Sequence, residues 1–334
     1  MNYKRITLAV IVGSECLLSC FLGYKVYSNL KQRNNVLGAH YVTHISKASV
    51  VFPEDQYLSG YYEPKANSID VETPPWIFYT TTYTYNSDGL RADKDYEVNA
   101  PSNVFRIIAL GDSFTEGVYM ALPQTYVSQL EQLLNNYASS CSSGKRFEIL
   151  NFGMRGYDIA YETERYRRHG IKYHPDLVMW LINANNVVMP DALLMPLTAN
   201  IEAETTESAR LKYEREQNYY FASNLAREQL QKQYSEDYIF SLQRHVLDTF
   251  NSLYSGPLLI TMFDDAALKT KNVIADFVHS RKNTYFYDTL QSLSEESGTQ
   301  LLDGHPSVSG HAQIAHDLYQ YLTDHHIISC KSQQ

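Results

Sequence analysis

Short apolar segments alternate with longer segments of helical periodicity from Val104 to near the end of the chain. The apolar segments read VFRIIAL, FEILNFG, DLVMWLI, PLLITMF and TYFYDTL. Such short, nearly continuous apolar runs are typical of strands buried on both faces of a parallel sheet. The intervening segments indicate helical crossovers. The pattern therefore predicts an α/β domain over 104–326 with a five-stranded parallel sheet.

Two of the predicted helices flank the segments that hold the candidate chemistry. The first covers 126–137 and places on one face Val127, Leu130, Leu133, Leu134 and Tyr137. The last begins shortly after His305 and is predicted to turn inward Val308, Ala312, Ala315, Leu318 and Leu322. In an open parallel sheet, both helices start at the edge formed by the carboxyl ends of the strands.

An unusually long connection, residues 186–255, separates the third and fourth predicted strands. Its last part is predicted to be the crossover helix, from the spacing of Ile239, Leu242, Val246, Phe250 and Leu253. The charged part before it, a helical insertion at about 190–235, exceeds what a minimal fold needs. It is either a flap that lines a site at the sheet edge or a solvated helical hairpin.

The chain before Val104 is predicted to contain a membrane anchor and a strand-rich region. Residues 6–24 follow Lys4 and Arg5, are apolar apart from Glu15, and are long enough to span a bilayer. No clear cleavage site is visible, so an uncleaved anchor over 1–30 is predicted, with the rest on the exported side, periplasmic or extracellular. A lipoprotein signal ending at Cys20 is the alternative. In 31–103, the alternation in WIFYTTTYTYNSDGLR predicts strands and a turn.

The net charge of −9 and the absence of a long basic run argue against nucleic acid as a partner. The chain has no glycine-rich phosphate-binding motif and no paired-cysteine spacing for a metal. We therefore expect chemistry that needs neither a metal nor an organic cofactor.

A candidate nucleophile lies in IIALGDSFTEG, between the first predicted strand and the next helix. Ser113 would sit at the sheet edge where ligands bind in open α/β folds. The alternative is that Asp112 or Ser113 serves only as the cap of that helix.

A candidate base lies in LLDGHPSVSGHAQIAHDL, near the end of the chain. Asp303 and His305 precede the last helix, which places them at the same edge as Ser113. His305 could accept the proton of Ser113, and Asp303 could orient the ring. A capping role for Asp303 and a surface position for His305 are the alternatives. His311 and His316 fall within the helix, where a packed or solvated histidine is expected.

Donors for a developing oxyanion are present in two further loops. Gly156, in NFGMRGY, follows the second strand and could present a backbone N–H. Asn183, Asn185 and Asn186 follow the third strand, and each could donate from a side-chain amide. Loops also favour glycine and asparagine for backbone reasons, so either motif alone is a weak signal.

Four segments, in order, resemble the SGNH (GDSL) hydrolase superfamily: GDSFTEG, NFGMRGY, HPDLVMWLINANN and DGHPSVSGHAQIA. The resemblance implies a three-layer α/β/α sandwich, with Ser113 as nucleophile and His305 as base oriented by Asp303. It also implies an oxyanion hole made by the N–H groups of Ser113 and Gly156 and the amide of Asn185. The segment YNSDGLR resembles the lead-in of anchored members that carry an N-terminal strand region.

The sequence departs from the family pattern at two positions. The third segment usually reads Asn-Asp, whereas Asn185 is followed here by Asn186. The last commonly reads Asp-x-x-His, whereas Asp303 and His305 are two residues apart. The shorter spacing leaves two arrangements open: the carboxylate reaches His305 Nδ1, or a backbone carbonyl orients the ring.

The function that the resemblance implies is hydrolysis of a small-molecule or saccharide ester through an acyl-enzyme on Ser113. A second hypothesis is O-acyl transfer or deacetylation on an envelope polysaccharide, which an exported, anchored site would suit. The chain holds 28 tyrosines, whose rings could stack on sugars or fill the core. A third hypothesis is a non-catalytic envelope binding or assembly protein, against which the intact Ser113, Asn185 and His305 argue.

The resemblance also predicts a disulfide between Cys141 and Cys330. In the doubly wound arrangement, the helices that precede these two cysteines lie side by side, whereas Cys16 and Cys20 fall in the apolar anchor. Peptide mapping of the native protein under non-reducing conditions is expected to recover the Cys141–Cys330 pair. Free, alkylatable thiols at both positions would contradict the bond and the oxidising compartment that it requires.

Overall fold

The structure is a computed structural model. It describes residues 50–51, 58, 61–73, 77–141, 144–183, 193–194, 197–198, 200–201 and 225–329. The predicted anchor over 1–30 and Cys330 lie outside these residues. In the part that is described, no helix has the length and apolarity needed to cross a membrane.

Two small antiparallel ladders precede the main sheet. Strand β1 (Val50–Val51) pairs with β2 (Glu63–Pro64), and β3 (Ser68–Glu72) pairs with β4 (Thr81–Tyr85). Every second side chain of β4 is buried, beginning with its first residue. This alternation is the expected consequence of the strand's two-residue period when one face packs on the rest of the protein.

Five parallel strands form the main sheet, as the apolar segments predict. They are β5 (Val104–Leu110), β6 (Arg146–Asn151), β7 (Leu177–Leu181), β8 (Leu258–Phe263) and β9 (Thr284–Leu290). Their order across the sheet is β6-β5-β7-β8-β9, and every neighbouring pair is parallel. The chain therefore leaves β5 toward one side, to β6, and then crosses to β7 on the other side, which creates the crevice typical of ligand sites.

Helices cover both faces of this sheet. They are α1 (Ser113–Glu116), α2 (Tyr126–Ser140), α3 (Ile159–Arg165), α4 (Glu236–Leu253), α5 (Leu268–Ser280) and α6 (Val308–Asp324). Ile107 and Ala109 of β5 share a core with α2 and α6. Ile108 and Leu110 point into the other core, with α3, α4 and α5. The result is the expected three layers.

Described parts of the long connection are helical and pack on the start of α4. Leu194, Ile201, Ala226 and Leu230 share a small buried cluster with Ile239. The residues between 201 and 225, which carry most of the charge of the predicted insertion, lie outside the described residues. The choice between a flap and a solvated hairpin therefore stays open.

Cys141 caps the end of α2 and takes part in a disulfide. Its partner lies outside the described residues, so the pairing with Cys330 stays a prediction. Helices α2 and α6 do lie side by side, with the rings of Tyr137 and Tyr319 in edge contact at 6.1 Å. Beyond α6, Ile328 returns to the same buried core as α2.

The inward face of α6 differs in part from the predicted one. Val308 and Ala312 are exposed, whereas His311 and Ile314 are fully buried. His311 Nδ1 accepts the backbone N–H of Tyr126 at 3.1 Å, and the two rings stack. Burial lowers the pKa of His311 to about 3, and the nearby Arg91 guanidinium acts in the same direction. The buried face of α6 therefore includes His311, a neutral histidine that the spacing of apolar residues alone did not assign to that face.

The buried His311 is expected to make the protein less stable as the pH falls from about 6.5 toward 3. Its pKa is lower in the folded state, so the unfolded state takes up the proton first and is favoured below its own pKa. The free energy of unfolding should then fall by about 1.4 kcal/mol per pH unit from this group. Urea denaturation at several pH values is expected to show this slope reduced in His311→Asn. Gln320→Asn, at an exposed residue of the same helix that does not titrate, should leave the slope unchanged. Equal slopes in wild type and His311→Asn would contradict the assignment.

Candidate active site

Ser113 begins α1 at the carboxyl end of β5, beside the crevice between β5 and β7. Asp112 is the cap of this short helix, since its Oδ1 accepts the N–H of Phe114 at 2.9 Å. The Ser113 side chain is half-exposed, and within the described residues neither its hydroxyl nor its N–H has a hydrogen-bond partner. Capping is therefore the role of Asp112, which leaves both groups of Ser113 available to a ligand.

The loop before α6 brings Asp303 and His305 together. His305 Nδ1 lies 2.7 Å from Asp303 Oδ2, and its backbone N–H donates to Asp303 Oδ1 at 3.2 Å. The Asp303 side chain has no exposed surface. Of the two arrangements left open by the short spacing, the structure has the carboxylate contact. Gly304, with φ of +93°, makes the tight turn that this contact requires.

The His305 ring lies against the segment that follows Ser113. Its centroid is 5.7 Å from that of Phe114 and 5.4 Å from that of Tyr119, whose ring meets it edge-on. The loop before α6 and the loop after β5 therefore meet, as their common position at the sheet edge predicts. Because Nδ1 faces a carboxylate, the neutral ring carries its proton there, and Nε2 is free to accept one.

Gly156 lies in the loop after β6 and presents an exposed backbone N–H. This N–H has no acceptor within the described residues. The φ of Gly156 is +77°, and a Cβ at this position would lie 2.6 Å from Tyr62 Oη. Only glycine fits here without strain or a clash.

The loop that carries Gly156 packs tightly on α1. Asn151 Nδ2 donates to the carbonyl of Thr115 at 2.7 Å, and Asn151 Oδ1 accepts the N–H of Gly153 at 2.9 Å. A Cβ on Gly153 would lie 2.2 Å from the backbone N of Glu116. The two loops that carry the candidate N–H donors are thus in direct backbone contact.

Two of the three asparagines after the third strand, Asn185 and Asn186, lie outside the described residues. Asn183 is described and is half-buried at the end of β7. The side-chain donor that the resemblance assigns to Asn185 therefore stays a prediction.

The hairpin of β3 and β4 fixes the position of Tyr119, a residue after α1 that the sequence pattern did not reveal as part of the site. Tyr119 has a φ of +65°, unusual for a bulky residue, and the hairpin holds it there. Its N–H donates to Tyr83 Oη at 2.8 Å, and its carbonyl accepts Thr81 Oγ1 at 3.0 Å. Burial, with the Asp303 carboxylate nearby, raises the pKa of Tyr119 far above its usual range, so its ring stays neutral against His305.

Three further charged residues of the site are buried: Arg91, Glu116 and Arg155. Helical or strand periodicity does not flag them, because Glu116 ends the four-residue helix α1 and the two arginines lie outside the named helices and strands. Each of them lies in a segment that carries the resemblance, Arg91 in YNSDGLR, Glu116 in GDSFTEG and Arg155 in NFGMRGY, but the resemblance assigned none of them a role. Among the described residues, no group of histidine, cysteine, aspartate or glutamate is arranged to hold a metal.

No protein-family model matches the chain, and no curated protein matches it either. Several solved structures are similar to this chain. A family 3 carbohydrate esterase of Clostridium thermocellum is 18% identical with a TM-score of 0.41, and the match covers 66% of this chain and 96% of that one. An acetylxylan esterase of Geobacillus stearothermophilus is 16% identical with a TM-score of 0.40, covering 69% and 97%. A member of the lipolytic protein G-D-S-L family from Veillonella parvula is 11% identical with a TM-score of 0.39, covering 65% and 98%. Since these TM-scores are below 0.5, the function has to be argued from the residues of this chain.

Proposed function

We propose that this protein is a serine esterase of the SGNH type, in which Ser113 is the nucleophile, His305 the base and Asp303 its orienting partner. The observation that carries the proposal is the Asp303–His305 pair at 2.7 Å, packed against Phe114, the residue that follows Ser113. A buried carboxylate on Nδ1 prepares the imidazole to accept a proton at Nε2. A surface histidine or a helix cap would not need this arrangement.

The proposed reaction uses these groups in turn. Ser113 Oγ attacks the ester carbonyl and passes its proton to His305 Nε2, while the Asp303 carboxylate stabilises the imidazolium. The N–H groups of Ser113 and Gly156 bind the oxyanion, and the resemblance assigns a third donor to the Asn185 amide. His305 then protonates the leaving alcohol, and a water molecule activated by the same ring hydrolyses the acyl-enzyme.

A second candidate function is acyl transfer to or from a saccharide of the cell envelope. Two exposed aromatic residues between β3 and β4 favour it: Phe78 is fully exposed and Tyr79 is 45% exposed. Burial and the nearby Asp303 carboxylate raise the pKa of Tyr79. Aromatic rings are suited to stack on sugars. Incubation with an acetylated saccharide separates the two functions, because hydrolysis releases free acetate and transfer yields a newly acetylated acceptor.

We also propose that the site acts on the exported side of a membrane, with residues 6–24 as anchor. The apolar character of these residues and the disulfide at Cys141 support this location. Disulfides persist in oxidising compartments and are rare in the cytosol.

A fluorophosphonate probe is expected to label the wild-type protein and to leave Ser113→Ala unlabelled, because the probe traps an activated serine. Labelling is read by gel fluorescence and by mass spectrometry of the modified peptide. Wild-type protein that is folded by circular dichroism and unlabelled would favour the non-catalytic binding hypothesis.

Asp303→Asn is expected to lower kcat for a short-chain ester by about 10²–10⁴, close to the loss in His305→Ala. An amide in place of the carboxylate would favour the wrong ring tautomer and would not stabilise the imidazolium. Asp248→Asn, an exposed change on α4, serves as the control and should leave kcat unchanged. Near-normal activity of Asp303→Asn would contradict the orienting role.

A further inference from the structure

Glu116 is a buried carboxylate between the two loops that carry the proposed backbone donors. It is the last residue of α1, the helix that begins at Ser113, and its side chain has no exposed surface. Its Oε2 accepts the backbone N–H of Arg155 at 2.8 Å and Arg155 Nε at 3.0 Å. Because Arg155 directly precedes Gly156, this carboxylate joins the helix of one donor to the residue beside the other.

The environment of Glu116 fixes both its charge and its orientation. Tyr85 Oη donates to Oε1 at 2.5 Å, and Arg155 Nη2 lies 3.3 Å from the same oxygen. Burial alone would raise the pKa of Glu116, but the Arg155 guanidinium and these hydrogen bonds lower it below its usual range. The carboxylate is therefore ionised at neutral pH, and four donors determine where it points.

Arg91 and Arg155 tie the same helix to the hairpin. Arg91 donates to the carbonyls of Glu116, Gly117 and Met120, which follow one another closely after Ser113. The guanidinium groups of Arg91 and Arg155 lie 4.5 Å and 4.4 Å from the centre of the Tyr83 ring. Arg155 also pairs with Glu72 of β3 at 2.9 Å. A shift of either loop would break several of these contacts at once.

We propose that Glu116 is a positioning residue of the oxyanion hole. Its carboxylate fixes the position of the Gly156 N–H relative to the Ser113 N–H, so that both can bind the same oxygen. This inference rests on the function proposed above, since an oxyanion hole has a role only if Ser113 attacks an ester. Negative charge on the substrate oxygen develops in the transition state, so the separation of the two donors matters more there than for the bound ester. A displaced donor should accordingly lower kcat and leave KM unchanged.

A second buried carboxylate provides a matched control. Glu148 of β6 pairs with Arg106 of β5 at 2.7 Å, and its side chain is 9% exposed. Both residues lie toward the amino ends of their strands, away from the edge that carries Ser113. Glu148→Gln therefore removes a buried charge that is paired to an arginine without touching either donor loop.

The test compares Glu116→Gln with Glu148→Gln in steady-state hydrolysis of a short-chain ester by the full-length protein. Glu116→Gln is expected to lower kcat about 10²-fold with KM within about twofold of wild type. It should weaken inhibition by an alkyl boronic acid, whose adduct on serine is tetrahedral, by a similar factor. Glu148→Gln should lower the Tm and leave kcat and boronate inhibition within about twofold of wild type.

Other outcomes of the test would overturn either the positioning role of Glu116 alone or the proposed function as well. An active wild type in which both variants show the same kinetics would overturn the positioning role alone. A wild type that neither hydrolyses esters nor is labelled at Ser113 would overturn the proposed function and this inference together. If Glu116→Gln does not fold, Tyr85→Phe removes only the hydrogen bond to Oε1. That variant is expected to lower kcat severalfold at unchanged KM, and an unchanged kcat would overturn the inference.

Discussion

A buried carboxylate needs partners, and the region around the candidate site is arranged to supply them to Glu116. An ionised group without solvent is tolerated in a protein only when opposite charges and hydrogen-bond donors surround it. The partners of Glu116 come from the loop after β6, through Arg155, and from the hairpin, through Tyr85. Three segments far apart in the chain are thereby held at one edge of the sheet.

This requirement explains why the hairpin of β3 and β4 belongs with the α/β domain rather than serving only as a spacer. Its inward side chains meet the loops of the sheet edge: Tyr83 lies between two guanidinium groups, and its hydroxyl holds Tyr119. Tyr119 in turn packs its ring edge against His305. Contacts from the hairpin thus reach His305 as well as the loops of Ser113 and Gly156.

The charges of the site are distributed so that each group has a defined state. Asp303 is fully enclosed and faces Nδ1 of His305, while Glu116 is neutralised by Arg155. Tyr119, whose ring packs on His305, stays protonated because burial raises its pKa. The carboxylates of Asp303 and Glu116 therefore have different partners, and of these two it is Asp303 that contacts the His305 ring.

The sequence by itself determined the sheet and the identity of the candidate groups. Apolar runs must be buried on both faces, so their number and order predicted five parallel strands, and the strand ends placed Ser113, Gly156 and His305 at one edge. The sequence could not decide whether Asp303 reaches His305, because that depends on the backbone conformation of Gly304. It also could not reveal Glu116, Arg155 and Tyr83, because buried polar residues have no periodic signature and owe their position to partners distant in the chain. The inward face of α6 was likewise set by tertiary contacts, since His311 is buried by the hydrogen bond from Tyr126 and the fit of the two rings.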